Sequence, residues 1–170
     1  MTGDRSGDGG AFLPFPLQEL VPAELRGVLC DFVWDSDKLQ RLPLQVETAT
    51  VDSLRWHLNL LYWRHDGKPF QLTPAQVKAD PTRYEEHYQR AMAADLGYPL
   101  DLLLRNDRWV ILDGVHRLLK ADALGLSNVR VRRLPTAMLP PHPPGGDLNV
   151  GKDDTAAHHP GACQRGRWPS

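Results

Sequence analysis

One stretch, WVILDGVHRLLK from Trp109 to Lys120, limits what this chain can fold into more than any other. Trp109, Val110, Ile111 and Leu112 form an apolar run with β-branched and aromatic members, which predicts a buried strand. Asp113 is a good helix N-cap, and Gly114 lets another group approach the backbone closely. From Val115 the period becomes helical. At roughly 100° per residue, Val115, Leu118 and Leu119 share one side while His116, Arg117 and Lys120 share nearly the opposite one. Such a helix buries one face and keeps three basic side chains near its own N-terminus. Free backbone N–H groups beside cationic side chains suit an anion, most often phosphate. The same pattern also describes an ordinary Asp-capped corner with a solvated basic face, and both readings stand at this point.

The rest of the middle of the chain supplies partners for that corner. Leu44, Val46, Thr48 and Thr50 alternate with Gln45, Glu47, Ala49 and Val51 as in a strand. A short helix capped by Asp52 or Ser53 follows. Trp56, Tyr62, Trp63 and Phe70 read as an aromatic cluster, and His65-Asp66-Gly67 as a turn. Thr73-Pro74-Ala75-Gln76 opens a helix that stops before Pro81. A longer helix is expected from Pro81 to about Leu96, closed by Gly97. Tyr98–Leu104, the turn at Asn106-Asp107 and Arg108–Leu112 read as an antiparallel pair. The helix from Gly114 ends at Gly125, and Val129, Val131 and Arg133 lie on a last strand. The expected class is α+β, a small mixed sheet with flanking helices.

At 170 residues the chain has room for one domain. Residues 1–16 have little to bury and read as a disordered lead. Residues 17–42 read as a helical extension, an amphipathic helix beginning near Pro22 that packs over the core or a partner, with Cys30 as a small core residue. The domain proper is expected over 43–137. Five prolines fall between Pro135 and Pro144, and 138–170 reads as a disordered Pro/Gly/His-rich tail.

Composition excludes several classes. A net charge of −1 argues against a protein that coats nucleic acid. Two cysteines, Cys30 and Cys163, make neither a disulfide framework nor a structural zinc motif. His142, His158 and His159 lack ligand-like spacing. No apolar run reaches about 18 residues, and the start of the chain lacks a signal-peptide pattern, so the expectation is a cytoplasmic protein off the membrane.

A strand, Asp-Gly-x-His-Arg, a Leu-rich helix, Leu-Gly and an alternating strand together resemble the signature corner of the ParB/sulfiredoxin-like fold, over roughly Val46 to Leu134. In that family the corner holds nucleotide phosphates. Sulfiredoxins carry their catalytic cysteine where this chain has Val115, so that activity is not expected. ParB partition proteins bind CTP with a Glu-Arg-Arg sequence where this chain has Val115, His116 and Arg117. They also need DNA-binding segments that the residues after Leu134 are too poor in apolar side chains to form, so sequence-specific DNA binding is not expected. Free serine kinases are more similar at the corner. That resemblance implies a nucleotide (CTP, ATP or ADP) or phosphorylated small molecule held by Gly114, Val115, His116, Arg117 and Lys120. It further implies Mg²⁺ on Asp113, and Asp113, His116 and Glu47 as catalytic groups in a phosphotransferase or nucleotide hydrolase. Two other readings stay open: a non-catalytic regulatory or protein-interaction module using the Trp56–Trp63 segment or the N-terminal helix, and a nucleic-acid accessory protein using Arg130, Arg132 and Arg133.

Overall fold

The apolar run at Trp109 is built as strand β5 (Arg108–Asp113), an edge of a four-stranded sheet in the computed structural model, which describes residues 18–29 and 36–135. The other strands are β1 (Val46–Thr50), β4 (Leu100–Arg105) and β6 (Asn128–Leu134), in the spatial order β1-β6-β4-β5. β4 and β5 form a hairpin whose turn residues, Asn106 and Asp107, take φ of 48° and 58°. Both residue types tolerate the left-handed conformation such turns need. From β5 the chain enters helix α5 (Val115–Ala123) and returns as β6, parallel to β4 and antiparallel to β1. The described residues therefore form the expected α+β fold with a small mixed sheet.

Each face of the sheet has its own cover. α5 packs on β4 and β6 through Val115, Leu118, Leu119 and Ala121, all buried. Around it lie α2 (Val51–Leu54), the 3₁₀ turn Arg55–Asn59, α3 (Pro74–Ala79) and α4 (Glu85–Met92). A separate hairpin, β2 (Trp63–His65) with β3 (Lys68–Leu72), buries Trp63, Phe70 and Leu72. The expected turn sits there, with Asp66 and Gly67 at φ of 49° and 76°. Val129 and Val131 point towards α5, so Arg130 and Arg132 point to the opposite face. There Arg132 reaches the end of helix α1 (Ser36–Arg41).

Several local expectations are corrected. No helix starts at Pro22: the chain makes 3₁₀ turns at Gln18–Leu20 and Ala23–Leu25, and Gly27 then takes φ +85°. Val21, Leu25, Val28 and Leu29 still bury their side chains, so the apolar spacing reflects burial without a regular helix. The helix expected from Pro81 begins only at Glu85, because the Asp80 carboxylate accepts the Arg83 N–H at 3.0 Å and holds a turn. Thr50 rather than Asp52 or Ser53 caps α2, whereas the Thr73–Gln76 capping box forms as expected. Cys30, residues 1–16 and 138–170, and the histidines of the tail lie outside the described residues. Among the described residues no helix is long and apolar enough to cross a membrane.

Candidate functional site

The corner is shaped by an irregularity in β5. The β4–β5 register pairs Leu102 with Ile111 and then jumps, so that Asp113 rather than Leu112 lies opposite Asp101. This bulge carries Asp113 as the last strand residue, and the helix N-cap is Gly114, at φ +118° and ψ 13°. The expected Asp113 cap is therefore corrected: no side chain caps α5. Instead Arg117, one turn along, folds back and its Nη2 donates to Asp113 Oδ2 at 2.7 Å. Both side chains are mostly buried, with 12% and 14% of their surface exposed. Gly114 is needed for this contact. A Cβ there would stand 2.8 Å from Leu100 Cγ and 3.0 and 3.1 Å from Arg117 Nη2 and Nε. The group approaching the glycine is the chain's own guanidinium.

His116 belongs to a cluster of three rings built on Trp63. Its imidazole stacks on the indole with centroids 4.8 Å apart and 15° between planes, and His87 also stacks on the indole at 5.3 Å and 5°. His87 Nε2 lies 3.0 Å from the Arg64 carbonyl, which can only accept, so that nitrogen carries the proton. His116 Nε2, Trp63 Nε1 and Arg117 Nε are buried with no hydrogen-bond partner. Burial, reinforced by Arg90, His87 and Arg117, pushes the His116 imidazole down to about 4. Without a ligand it is a neutral ring, not one of the cationic side chains that the helical pattern suggests. An anion beside it would favour the charged form.

The remaining residues expected at the site divide. Val115 is buried beneath the helix. Lys120 shares the outer face of α5 with His116 and Arg117, but its Nζ donates to the Ala94 carbonyl at 2.7 Å and ties α5 to the end of α4. Glu47 is not brought to the corner. It lies on β1, three strands away from β5 and hence on the order of 14 Å across the sheet, paired with Arg133. The arginine stripe of β6 is also divided. Arg130 donates to the Gly97 carbonyl at 2.7 Å, and Arg133 joins Glu47 and lies over Trp109 at 5.0 Å.

Arg132 is buried. Its Nε and Nη2 each lie 2.7 Å from Asp101 Oδ1, and its remaining N–H groups reach the carbonyls of Leu39 and Gln40 at 3.1 Å and Leu42 at 3.4 Å. Asp101 and Asp113 thus form a short charge ladder between Arg132 and Arg117. Burial pushes the Asp101 carboxyl up to about 6, against the pull of Arg132 and with a further push from Asp113. Sequence reasoning missed both Asp101 and Trp63 as neighbours of the corner. The signal for Asp101 was a carboxylate amid Leu100, Leu102 and Leu103, an expensive placement unless an arginine meets it.

No family model matches the chain, and no curated protein and no solved structure matches it.

The donor set can be judged from its chemistry. Arg117 Nε and His116 Nε2 are a donor and a donor-or-acceptor beside an uncapped helix N-terminus, which suits a group rich in oxygen acceptors. A resident metal fits less well: Arg117 engages Asp113, Arg132 engages Asp101, and among the described residues no three His, Cys, Asp or Glu side chains converge.

Proposed function

We propose that this chain is a ParB/sulfiredoxin-like protein that binds the phosphate groups of a nucleotide or phosphorylated small molecule at the Gly114–Arg117 corner. One observation carries the reading: three polar atoms around that corner, His116 Nε2, Trp63 Nε1 and Arg117 Nε, are buried with no partner. Leaving such an atom unsatisfied costs on the order of 1–3 kcal/mol, so a corner that gathers them gains by accepting a ligand. The chain order of strand, Gly-turn, helix and a last strand that pairs parallel with β4 supports the family assignment. Binding is the core of the proposal. Phosphoryl transfer would need a carboxylate beside the ligand, and Asp113 fills that place better than the distant Glu47. Mg²⁺ enters only as a companion of the nucleotide.

A second reading has its own support: Asp113 and Arg117 already satisfy one another, as a purely structural pair would. Calorimetric titration with CTP, ATP and ADP, with and without Mg²⁺, separates the two. The proposal expects saturable binding of at least one, weakened tenfold or more in Arg117→Lys and His116→Phe, with thermal unfolding of each variant showing that it folds. No heat from any of the three, or binding untouched by both substitutions, makes the pair structural.

A further inference from the structure

The two edges of the four-stranded sheet are built differently. On β5 the register breaks between Asp101 and Leu102, and the Ile111 N–H donates to His57 Nε2 at 3.1 Å. A bulge and a covering side chain both hinder an edge strand from pairing with another chain. β1 has no bulge, and the side chain on its edge, Ser53, reaches only the last carbonyl, that of Thr50. Its residues VETAT pair with β6 without a break from Val46 opposite Arg132 to Thr50 opposite Asn128, and they include no proline and no lysine. Its single charge, on Glu47, is engaged by Arg133 of the same chain.

The phase of the ladder shows which groups β1 leaves open. In the row beyond Thr50, the Val51 N–H donates to the Ser127 carbonyl at 2.9 Å. Hydrogen-bonded rows alternate along an antiparallel pair, so Ala49 and Glu47 also bond to β6. The N–H and C=O groups of Val46, Thr48 and Thr50 therefore point outward. Among the described residues, the hydrogen bond to this row is the Ser53 hydroxyl on the Thr50 carbonyl, at 2.7 Å. All three side chains are exposed, Val46 by 42%.

We propose that β1 is a dimerisation edge, on which a second copy of this chain pairs antiparallel about a twofold axis at Thr48 to make one continuous eight-stranded sheet. The sequence of the strand favours this occupant and this register. Centred on Thr48, each Glu47 faces the partner's Ala49, each Val46 faces the partner's Thr50, and the two Thr48 residues face each other. No like charges stand opposite, and Thr–Thr pairs are favourable across strands. The outward rows coincide, giving about four new main-chain hydrogen bonds that do not involve the Thr50 carbonyls already engaged by Ser53. A shift that centres the axis on Glu47 sets the two glutamates face to face. A shift by a half step sets outward groups against inward ones. A net charge of −1 leaves little general repulsion between copies.

The test uses the full chain. Sedimentation equilibrium over a wide concentration range is expected to show the mass of wild type rising towards twice the monomer, and Thr48→Lys remaining monomeric with an unchanged thermal transition. In a background with Cys30→Ser and Cys163→Ser, Thr48→Cys is expected to form an intermolecular disulfide many times faster than Glu47→Cys, because only residue 48 meets its own copy. This cross-linking arm decides the matter even where Thr48→Lys fails to fold. A wild type monomeric at every concentration, a dimer that survives Thr48→Lys in folded protein, or equal cross-linking at 47 and 48 overturns the proposal.

Discussion

His57 shows how much a single side chain fixes when it is buried. Its Nδ1 lies 2.9 Å from the Leu54 carbonyl, so that nitrogen must carry the proton, and Nε2 accepts the Ile111 N–H at 3.1 Å. A protonated ring would turn Nε2 into a second donor facing an N–H, and burial, helped by Arg108 and opposed by the Leu54 hydrogen bond, pushes the imidazole down to about 4. The ring joins the 3₁₀ turn to the sheet edge with both nitrogens used. His57→Phe keeps the volume and removes both bonds, and is expected to cost about 2–4 kcal/mol in urea unfolding. His57→Gln, whose carbonyl can reach the same N–H, is expected to recover part of that loss. A Phe variant as stable as wild type would show that packing, not hydrogen bonding, holds the turn. In the sequence, His57 is one polar residue between Trp56 and Leu58, and no local pattern marks it, because its partners are 3 and 54 residues away.

At the scale of elements, the two ends of α5 make a controlled comparison. Both are glycines with positive φ, Gly114 at +118° and Gly125 at +69°. Gly125 closes the helix with the Leu126 N–H on the Ala121 carbonyl at 2.9 Å and its own N–H on Asp122 at 3.2 Å, the double bond of a Schellman end. Nothing lies within 4 Å of a Cβ at Gly125, whereas one at Gly114 meets Leu100 and the Arg117 guanidinium. Gly125→Ala should therefore cost about 1 kcal/mol, the backbone strain alone. Gly114→Ala adds a clash and should cost about 2–4 kcal/mol, while displacing Arg117 from Asp113. Equal losses by chemical denaturation would refute the crowding at the corner. This helix was legible from its sequence because its signals are local: the apolar stripe, the glycine stop and the basic outer face. The Asp113 cap was misread because a bulge moves that residue into the strand, and bulges depend on the partner strand. The N-terminal segment misled for a related reason, since burial by the sheet imposes apolar spacing without requiring a helix.

For the whole molecule, the buried titratable groups predict the shape of the stability curve against pH. His57 and His116 are pushed down to about 4, and His87 is lowered as well, chiefly by burial. In the unfolded chain these rings take protons near pH 6.5. Between that pH and about 4 the unfolded state therefore binds more protons than the folded one, and stability falls on acidification. Asp101 opposes this: with its carboxyl raised to about 6, the folded state takes up a proton before the unfolded chain does, and this group adds stability as pH falls through the same window. Two deeply shifted histidines outweigh one carboxyl of similar shift, so the net loss by pH 4 is on the order of 3–4 kcal/mol. Urea unfolding at half-unit steps from pH 7.5 to 4 is expected to show a flat region above about pH 7 and a decline below it. Asp101→Asn removes the compensating proton, so its decline should be steeper whatever its stability at neutral pH. A curve that rises on acidification would mean that His57 and His116 are not held down, whereas an Asp101→Asn variant with an unchanged slope would mean that the Arg132 contact keeps Asp101 ionised through this range. The charge ladder from Arg132 to Arg117 would then be fixed rather than titratable.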